Sequence, residues 1–176
     1  MSLEGKRVAV LAEEGYQELE LWYPVLRLRE EGADVVVVAP QTVKAYESFL
    51  GYPMLAESTF EDLDVSSLDG VVIPGGGAGR RLEKLGEAVN LVRSSVEQGL
   101  LVAAIGTGTG VLAAAGALKG KRFTADETFK GESADTGGTL VNDDVVADGL
   151  VITSRGADDL PAFFHSIELT LLSKGK

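Results

Sequence analysis

Leu100-Leu101-Val102-Ala103-Ala104-Ile105-Gly106-Thr107-Gly108-Thr109-Gly110 is the stretch that decides the fold. Residues 100–105 are apolar without alternation, which suits a strand covered on both faces, the habit of parallel sheets. A glycine-rich turn follows, and then a helical run over 111–117. The same unit recurs on either side. Residues 6–12 read as a buried strand (Val-Ala-Val-Leu at its centre) before a helical segment over 17–31, on which Leu19, Trp22, Tyr23, Leu26 and Glu30 fall near one face. Pro24 lies inside that segment, so the helix is either kinked or begins near Tyr23. Gly32 stands where a helix C-terminal glycine belongs. Val35 to Ala39 form a second continuous apolar run, and residues 69–74 a third, followed by a glycine-rich loop and a helical stretch reaching Gln98. Strand, helix, strand in alternation predicts right-handed crossovers and a doubly wound α/β sandwich. A small hairpin excursion is expected over 41–63, around Gly51-Tyr52-Pro53, and short strands over 122–153, including 150–153. A last helix over 158–173 has acids at its start and Lys174 and Gly175 at its end, as the helix dipole and C-cap favour.

Composition narrows the chemistry. The 176 residues suffice for one domain, 1–176, and 45% hydrophobic with 24% charged residues argues against disorder. No apolar run approaches the ~18 residues that cross a bilayer. Lys6 and Arg7 precede an apolar run that meets Glu13 and Glu14 too soon for a signal peptide, which leaves the cytoplasm as the expected location. The net charge of −11 (16 basic, 27 acidic) disfavours nucleic acid and anionic membranes as partners. The absence of cysteine excludes disulfides, thiolate metal sites and cysteine nucleophiles. His165 is the single histidine, so any Ser-His-Asp triad would have to use it.

In an open α/β sheet ligands gather beyond the carboxyl ends of the strands, which singles out the loops 13–17, 75–79 and 106–110. Gly75-Gly76-Gly77-Ala78-Gly79 fails the dinucleotide spacing: counted from Gly75 the third glycine falls on Arg80, and from Gly77 on Leu82. Gly106 would need a glycine at Val111, and residues 116–121 are one residue short of a phosphate-binding P-loop. What remains open at 106–110 is an anion site at a helix start or glycines required by a tight strand-to-helix turn. That turn is also where a nucleophile elbow lies, and glycine adopts its backbone at little cost, so the geometry can outlive the chemistry.

Val102-Ala103-Ala104-Ile105-Gly106-Thr107-Gly108 resembles the Ala-Ile-Cys-His-Gly elbow of the ThiJ/PfpI family of intracellular proteases, cysteine-dependent glyoxalases and stress proteins. The likeness continues through Tyr16-Gln17-Glu18-Leu19-Glu20-Leu21, Gly51-Tyr52-Pro53 and Val71-Val72-Ile73-Pro74-Gly75-Gly76. Leu118-Lys119-Gly120-Lys121, Ile152-Thr153-Ser154-Arg155-Gly156 and Asp159-Leu160-Pro161 complete the order. The resemblance implies a flavodoxin-like fold, homo-oligomers with the pocket near an interface, and no cofactor. It also implies a glutamate, Glu20, beside the elbow, and an oxyanion hole from the N–H groups of Gly76 and Thr107 next to Gly75. The family's cysteine maps to Gly106 and its histidine to Thr107, so fold and pocket carry over but thiol chemistry does not.

Thr107 and Thr109 supply hydroxyls, either as nucleophiles needing a base such as Glu20 or as helix caps and turn formers. Asp126 and Glu127 stand where the family places an aromatic or histidine and then a proline. They either join Glu20 in a carboxylate cluster suited to a hard metal or are solvated loop acids. His165 reads as a packing or surface residue, and Arg155 as a structural ion pair, a subunit contact or a substrate clamp. Two functions follow: a non-catalytic, stress-related module that binds a small polar ligand at Glu20, or a hydrolase- or glyoxalase-like enzyme using Glu20 with water or Thr107.

Overall fold

The computed structural model describes residues 2–129 and 131–174. Five parallel strands form the body of the sheet: β1 (Arg7–Leu11), β2 (Asp34–Ala39), β6 (Gly70–Ile73), β7 (Leu101–Ile105) and β11 (Val151–Ser154). The short β5 (Ser58–Thr59) edges β2 in parallel, and β10 (Val145–Asp148) closes the other side antiparallel to β11. The seven strands lie in the order β10-β11-β7-β6-β1-β2-β5. The excursion is the antiparallel hairpin β3 (Ala45–Glu47) and β4 (Pro53–Leu55), as expected. A further small pair, β8 (Arg122–Phe123) and β9 (Thr139–Leu140), lies within the region of short strands. The fold is the doubly wound α/β sandwich that the alternation predicts, of the flavodoxin-like kind that the resemblance implies.

Pleating sorts the apolar runs onto two cores. Val8, Val10 and Ile105 face one side, against α1 (Glu18–Glu30) and α5 (Leu160–Ser173), where Leu21, Val25, Phe163 and Ile167 complete the cluster. Ala9, Leu11, Ile73 and Val102 face the other, against α3 (Gly86–Glu97) and α4 (Thr109–Ala114), with Val92 and Leu112. Every central strand is therefore buried on both faces, which is why its sequence does not alternate.

Several boundaries differ from the sequence reading. The helical stretch to Gln98 is two helices, α2 (Gly77–Leu82) and α3, separated at Glu83 to Leu85. The run expected over 111–117 is α4, ending at Ala114, and α5 begins at Leu160 because Asp158 and Asp159 form a short turn before it. Lys174 caps α5, whereas Gly175 lies outside the described residues. The helix α1 runs unbroken across Pro24 from Glu18, not from Tyr23. The residues that share the helical spacing noted above are not the most deeply buried ones. Leu21, Pro24, Val25 and Leu28 pack inward, while Leu19 and Leu26 are more than half exposed. The helix carries two apolar stripes, and Glu20, buried at its N-terminal end, sits on the inner side of the site. Among the described residues no helix is long and apolar enough to cross a membrane.

The two stripes should separate by mutation. Leu21→Ala is expected to cost about 2–5 kcal/mol and Leu26→Ala no more than about 0.5 kcal/mol in urea unfolding, because only the first opens a cavity. Equal costs would mean that the inner stripe is misassigned.

Candidate functional site

The site forms where the loops after β1, β6, β7 and β11 meet at the carboxyl end of the sheet. Gln17 caps α1, its side chain accepting the Glu20 N–H at 2.9 Å. That cap places Glu20 one turn into the helix with its side chain directed at the loop after β6. The carboxyl is almost wholly enclosed, at 5% exposure, and its Oε2 accepts the Gly75 N–H at 2.8 Å. Gly75 must be glycine: a Cβ there would lie 2.4 Å from Glu20 Oε2 and 2.9 Å from the Ile105 carbonyl oxygen.

Gly106 occupies the elbow with φ +59°, the left-handed backbone that an elbow needs. A Cβ at this position would sit 3.2 Å from both oxygens of Glu20. The carboxyl thus faces the place from which a side chain at 106 would rise. Gly76, φ +72°, holds the crossing of two loops, with Gly77 N–H donating to the Gly15 carbonyl at 2.7 Å. The Thr107 hydroxyl donates to the Gly76 carbonyl at 2.7 Å, tying the third loop to the second. Among the described residues the N–H groups of Gly76 and Thr107 have no acceptor.

The structure brings Glu20, Gly75, Gly76, Gly106 and Thr107 together and treats the other candidates differently. The glycines of the 106–110 loop serve close packing: a Cβ on Gly108 would stand 2.7 Å from the Ile73 and Pro74 carbonyl oxygens. Neither threonine caps α4, whose N-cap is Gly108 without a side-chain bond. Thr109 is fully buried, and its hydroxyl has no partner among the described residues. Asp126 is half-buried and accepts the Thr128 N–H at 2.7 Å, capping the turn Glu127–Phe129, and Glu127 is exposed. Among the described residues no group of three or more His, Asp or Glu side chains gathers as metal ligands do, so these acids do not form the hard-metal cluster with Glu20. Arg155 is a structural ion pair, with Nε and Nη2 each 2.9 Å from the two Asp159 oxygens and a further pairing to Asp144. His165 is a surface residue 3.6 Å from Glu168.

Burial pushes the Glu20 carboxyl up to about 7, against the Gly75 N–H that favours the anion and with help from the charge of Asp126. Apart from Arg155, sequence reasoning did not place the loop after β11 among those that gather ligands. There Arg155, Gly156 and Asp158 face Asp126 across an open cleft of about 370 Å³, and a Cβ on Gly156 would lie 3.8 Å from Glu20 Oε1. The available signal was the position of that loop, at the carboxyl end of a parallel strand.

The raised Glu20 fixes the sign of a pH effect. Its native state holds the proton more tightly than the unfolded chain, so its stabilising share is complete below pH 4.5 and is lost as pH rises through about 7. Relative to Glu20→Gln, the unaltered chain should lose on the order of 3 kcal/mol across that window. Paired urea melts at several pH values measure the difference, and parallel curves would return Glu20 to an ordinary proton affinity.

Comparison with known proteins agrees with this geometry. The family model described as DJ-1/PfpI family matches residues 6–168. An uncharacterized protein of Archaeoglobus fulgidus is 41% identical over 89% of this chain and 93% of its own length. A deglycase of Thermococcus kodakarensis is 33% identical over 90% of this chain and 95% of its own. Among solved structures, Drosophila melanogaster DJ-1beta superposes with a TM-score of 0.88 at 30% identity, covering 99% of this chain and 92% of that one. A two-domain protein of Anabaena variabilis, with DJ-1/ThiJ/PfpI-like and ferritin-like domains, gives 0.92 at 32% identity, covering 94% of this chain. This chain spans about half of that protein, 48%. From the first strand to the last helix, the chain belongs to the DJ-1/PfpI family.

Proposed function

We propose that this chain is a thiol-free member of its family that binds a small polar, carbonyl-bearing ligand at Glu20 without forming a covalent adduct. The observation that carries this reading is the pairing at the elbow. Glu20 keeps its place, hydrogen bond and burial, while the residue facing it is a glycine with no side chain to attack anything. Two N–H groups without acceptors, at Gly76 and Thr107, are suited to a carbonyl oxygen. Protonated Glu20 can donate a hydrogen bond beside them. The proposal includes one domain acting in the cytoplasm, in a stress-related role.

A second reading has one observation in its favour. A carboxyl with proton affinity near neutrality is matched to general acid–base work, so Glu20 could activate a water for hydrolase- or glyoxalase-like turnover. The relatives named deglycases lend that reading its context. Thr107 is a poor nucleophile in either case, because its proton is directed at the Gly76 carbonyl and away from any base. Methylglyoxal consumption by the unaltered chain and by Glu20→Gln decides between the two. The binding reading expects no turnover above buffer from either protein. Turnover that disappears with Glu20→Gln would establish a thiol-free enzyme.

The proposal also includes self-association. The outer stripe of α1 exposes Leu19 and Leu26, and the hairpin loop, which meets that helix through the Trp22–Tyr52 ring contact, exposes Phe49, Leu50 and Tyr52. An apolar area of this kind suits a second copy better than water. Leu26→Asp should therefore lower the mass measured by sedimentation while leaving the far-UV spectrum unchanged, and an unchanged mass would remove this face from the interface.

A further inference from the structure

Gly75-Gly76-Gly77 gives the loop after β6 three residues in a row without a Cβ. Such a run has little steric preference of its own, so hydrogen bonds must set which way each peptide unit faces. The N–H of Gly75 is fixed by Glu20 Oε2 at 2.8 Å. The next peptide unit carries the free N–H of Gly76. Its carbonyl, on Gly75, accepts the Gln17 N–H at 3.4 Å, beyond the usual hydrogen-bond range. The unit after that is held at both ends and far more closely. Its carbonyl, on Gly76, accepts the Thr107 hydroxyl at 2.7 Å, and its N–H, on Gly77, donates to the Gly15 carbonyl at 2.7 Å.

These two holds reach different places. Gly15 ties the unit to the loop after β1. Thr107 ties it to the loop after β7, and Thr107 itself bears the second free N–H. Among the described residues this is the one hydrogen bond between the stretches 75–79 and 106–110. The rest of the joint is close contact: a Cβ on Gly79 would stand 2.6 Å from Thr107 Oγ1 and 2.7 Å from the Gly108 nitrogen. Glycine at 79 therefore leaves the room in which the hydroxyl is seated. The acid belongs to the same joint. The place of a Cβ on Gly75 lies 2.4 Å from Glu20 Oε2 and 3.0 Å from the Thr107 nitrogen, so the second donor is beside the carboxyl.

Resting on the reading of Glu20 and the two N–H groups as a carbonyl-binding pocket, we propose that the Thr107 hydroxyl is a positioning group for that pocket. It touches no ligand. By holding the Gly76 carbonyl it sets the separation of the Gly76 and Thr107 N–H groups, so that one carbonyl oxygen is received by both. Donors fixed in advance bind more tightly than donors that must be ordered on arrival. The role belongs to the hydroxyl, so serine can fill it, whereas valine, with a methyl in its place, cannot.

Hydroxyacetone and its alcohol counterpart, propane-1,2-diol, test this on nitrogen-15-labelled protein, read at the backbone amides of positions 76 and 107. In the unaltered chain hydroxyacetone should move both amides and the diol should move neither. Thr107→Ser should bind hydroxyacetone within about twofold of the unaltered chain. Thr107→Val and Thr107→Ala should each bind it about three- to tenfold more weakly, with the amides outside the two loops in place. Two variants without the hydroxyl are used so that a fold disturbed by one leaves the other to decide. Undiminished binding in them would mean that packing at Gly79 alone sets the donors, and the positioning role falls while the pocket stands. Equal weakening in Thr107→Ser would assign the effect to the methyl group, with the same consequence. If hydroxyacetone leaves both amides of the unaltered chain unmoved, or the diol moves them as readily, the pocket reading fails and the positioning role with it.

Discussion

The hydrogen bond from the Gly75 N–H to the Glu20 carboxyl joins the start of the first helix to the loop after the third central strand. Much of the site geometry follows from it. Gln17 fixes the helix start from which Glu20 extends, and the Gly15 carbonyl receives Gly77, so the first loop holds the second at two points around the carboxyl. Thr107 then ties the elbow to Gly76. Three strand ends are thereby locked around one acid. The lock also explains where glycine is unavoidable: at Gly75 because the carboxyl and the Ile105 carbonyl leave no room for a Cβ, and at Gly108 because the preceding strand's carbonyls lie too close.

Such a lock explains how the elbow persists without its nucleophile. The backbone at Gly106 is shaped by the close packing of α2 and β6 against the turn, not by the reactivity of a side chain. Removing a thiol from such a place costs the scaffold little, since glycine adopts the left-handed backbone without strain. What changes is the acid. A carboxyl beside a thiol can share a proton with it, whereas Glu20 keeps its own and, with only one N–H to favour its anion, remains protonated to near neutrality.

Much of this was legible in the sequence, for identifiable reasons. Val102 to Ile105 and Val35 to Ala39 announce double-sided burial by their lack of alternation, and the order of motifs carried Glu20, Gly76 and Gly106 to one place. The face of α1 was not legible, because both of its stripes are apolar. Periodicity alone cannot tell the stripe that meets the sheet, with Leu21 and Val25, from the one that carries Leu19 and Leu26. Thr107 and Thr109 looked alike as hydroxyls at a helix start. Only tertiary contacts separate the one bonded to Gly76 from the one buried without a partner. Arg155 was weighed singly, but the stretch Gly156 to Asp159 was not read as the wall of a cleft, because its loop lacks the glycine run that drew attention to the others.

The edges of the sheet have a consequence of their own. On one side the final strand, β5, is only Ser58 and Thr59, too short to present a row of free amide and carbonyl groups to another chain. On the other, β10 ends in Asp148, whose carboxylate is taken by the Arg122 N–H and Lys121 of the adjoining segment. Neither margin offers a long template for strand addition, so fibrous growth by edge pairing is discouraged. Lengthening this seven-stranded sheet by a further strand would need a longer margin than either of its sides provides.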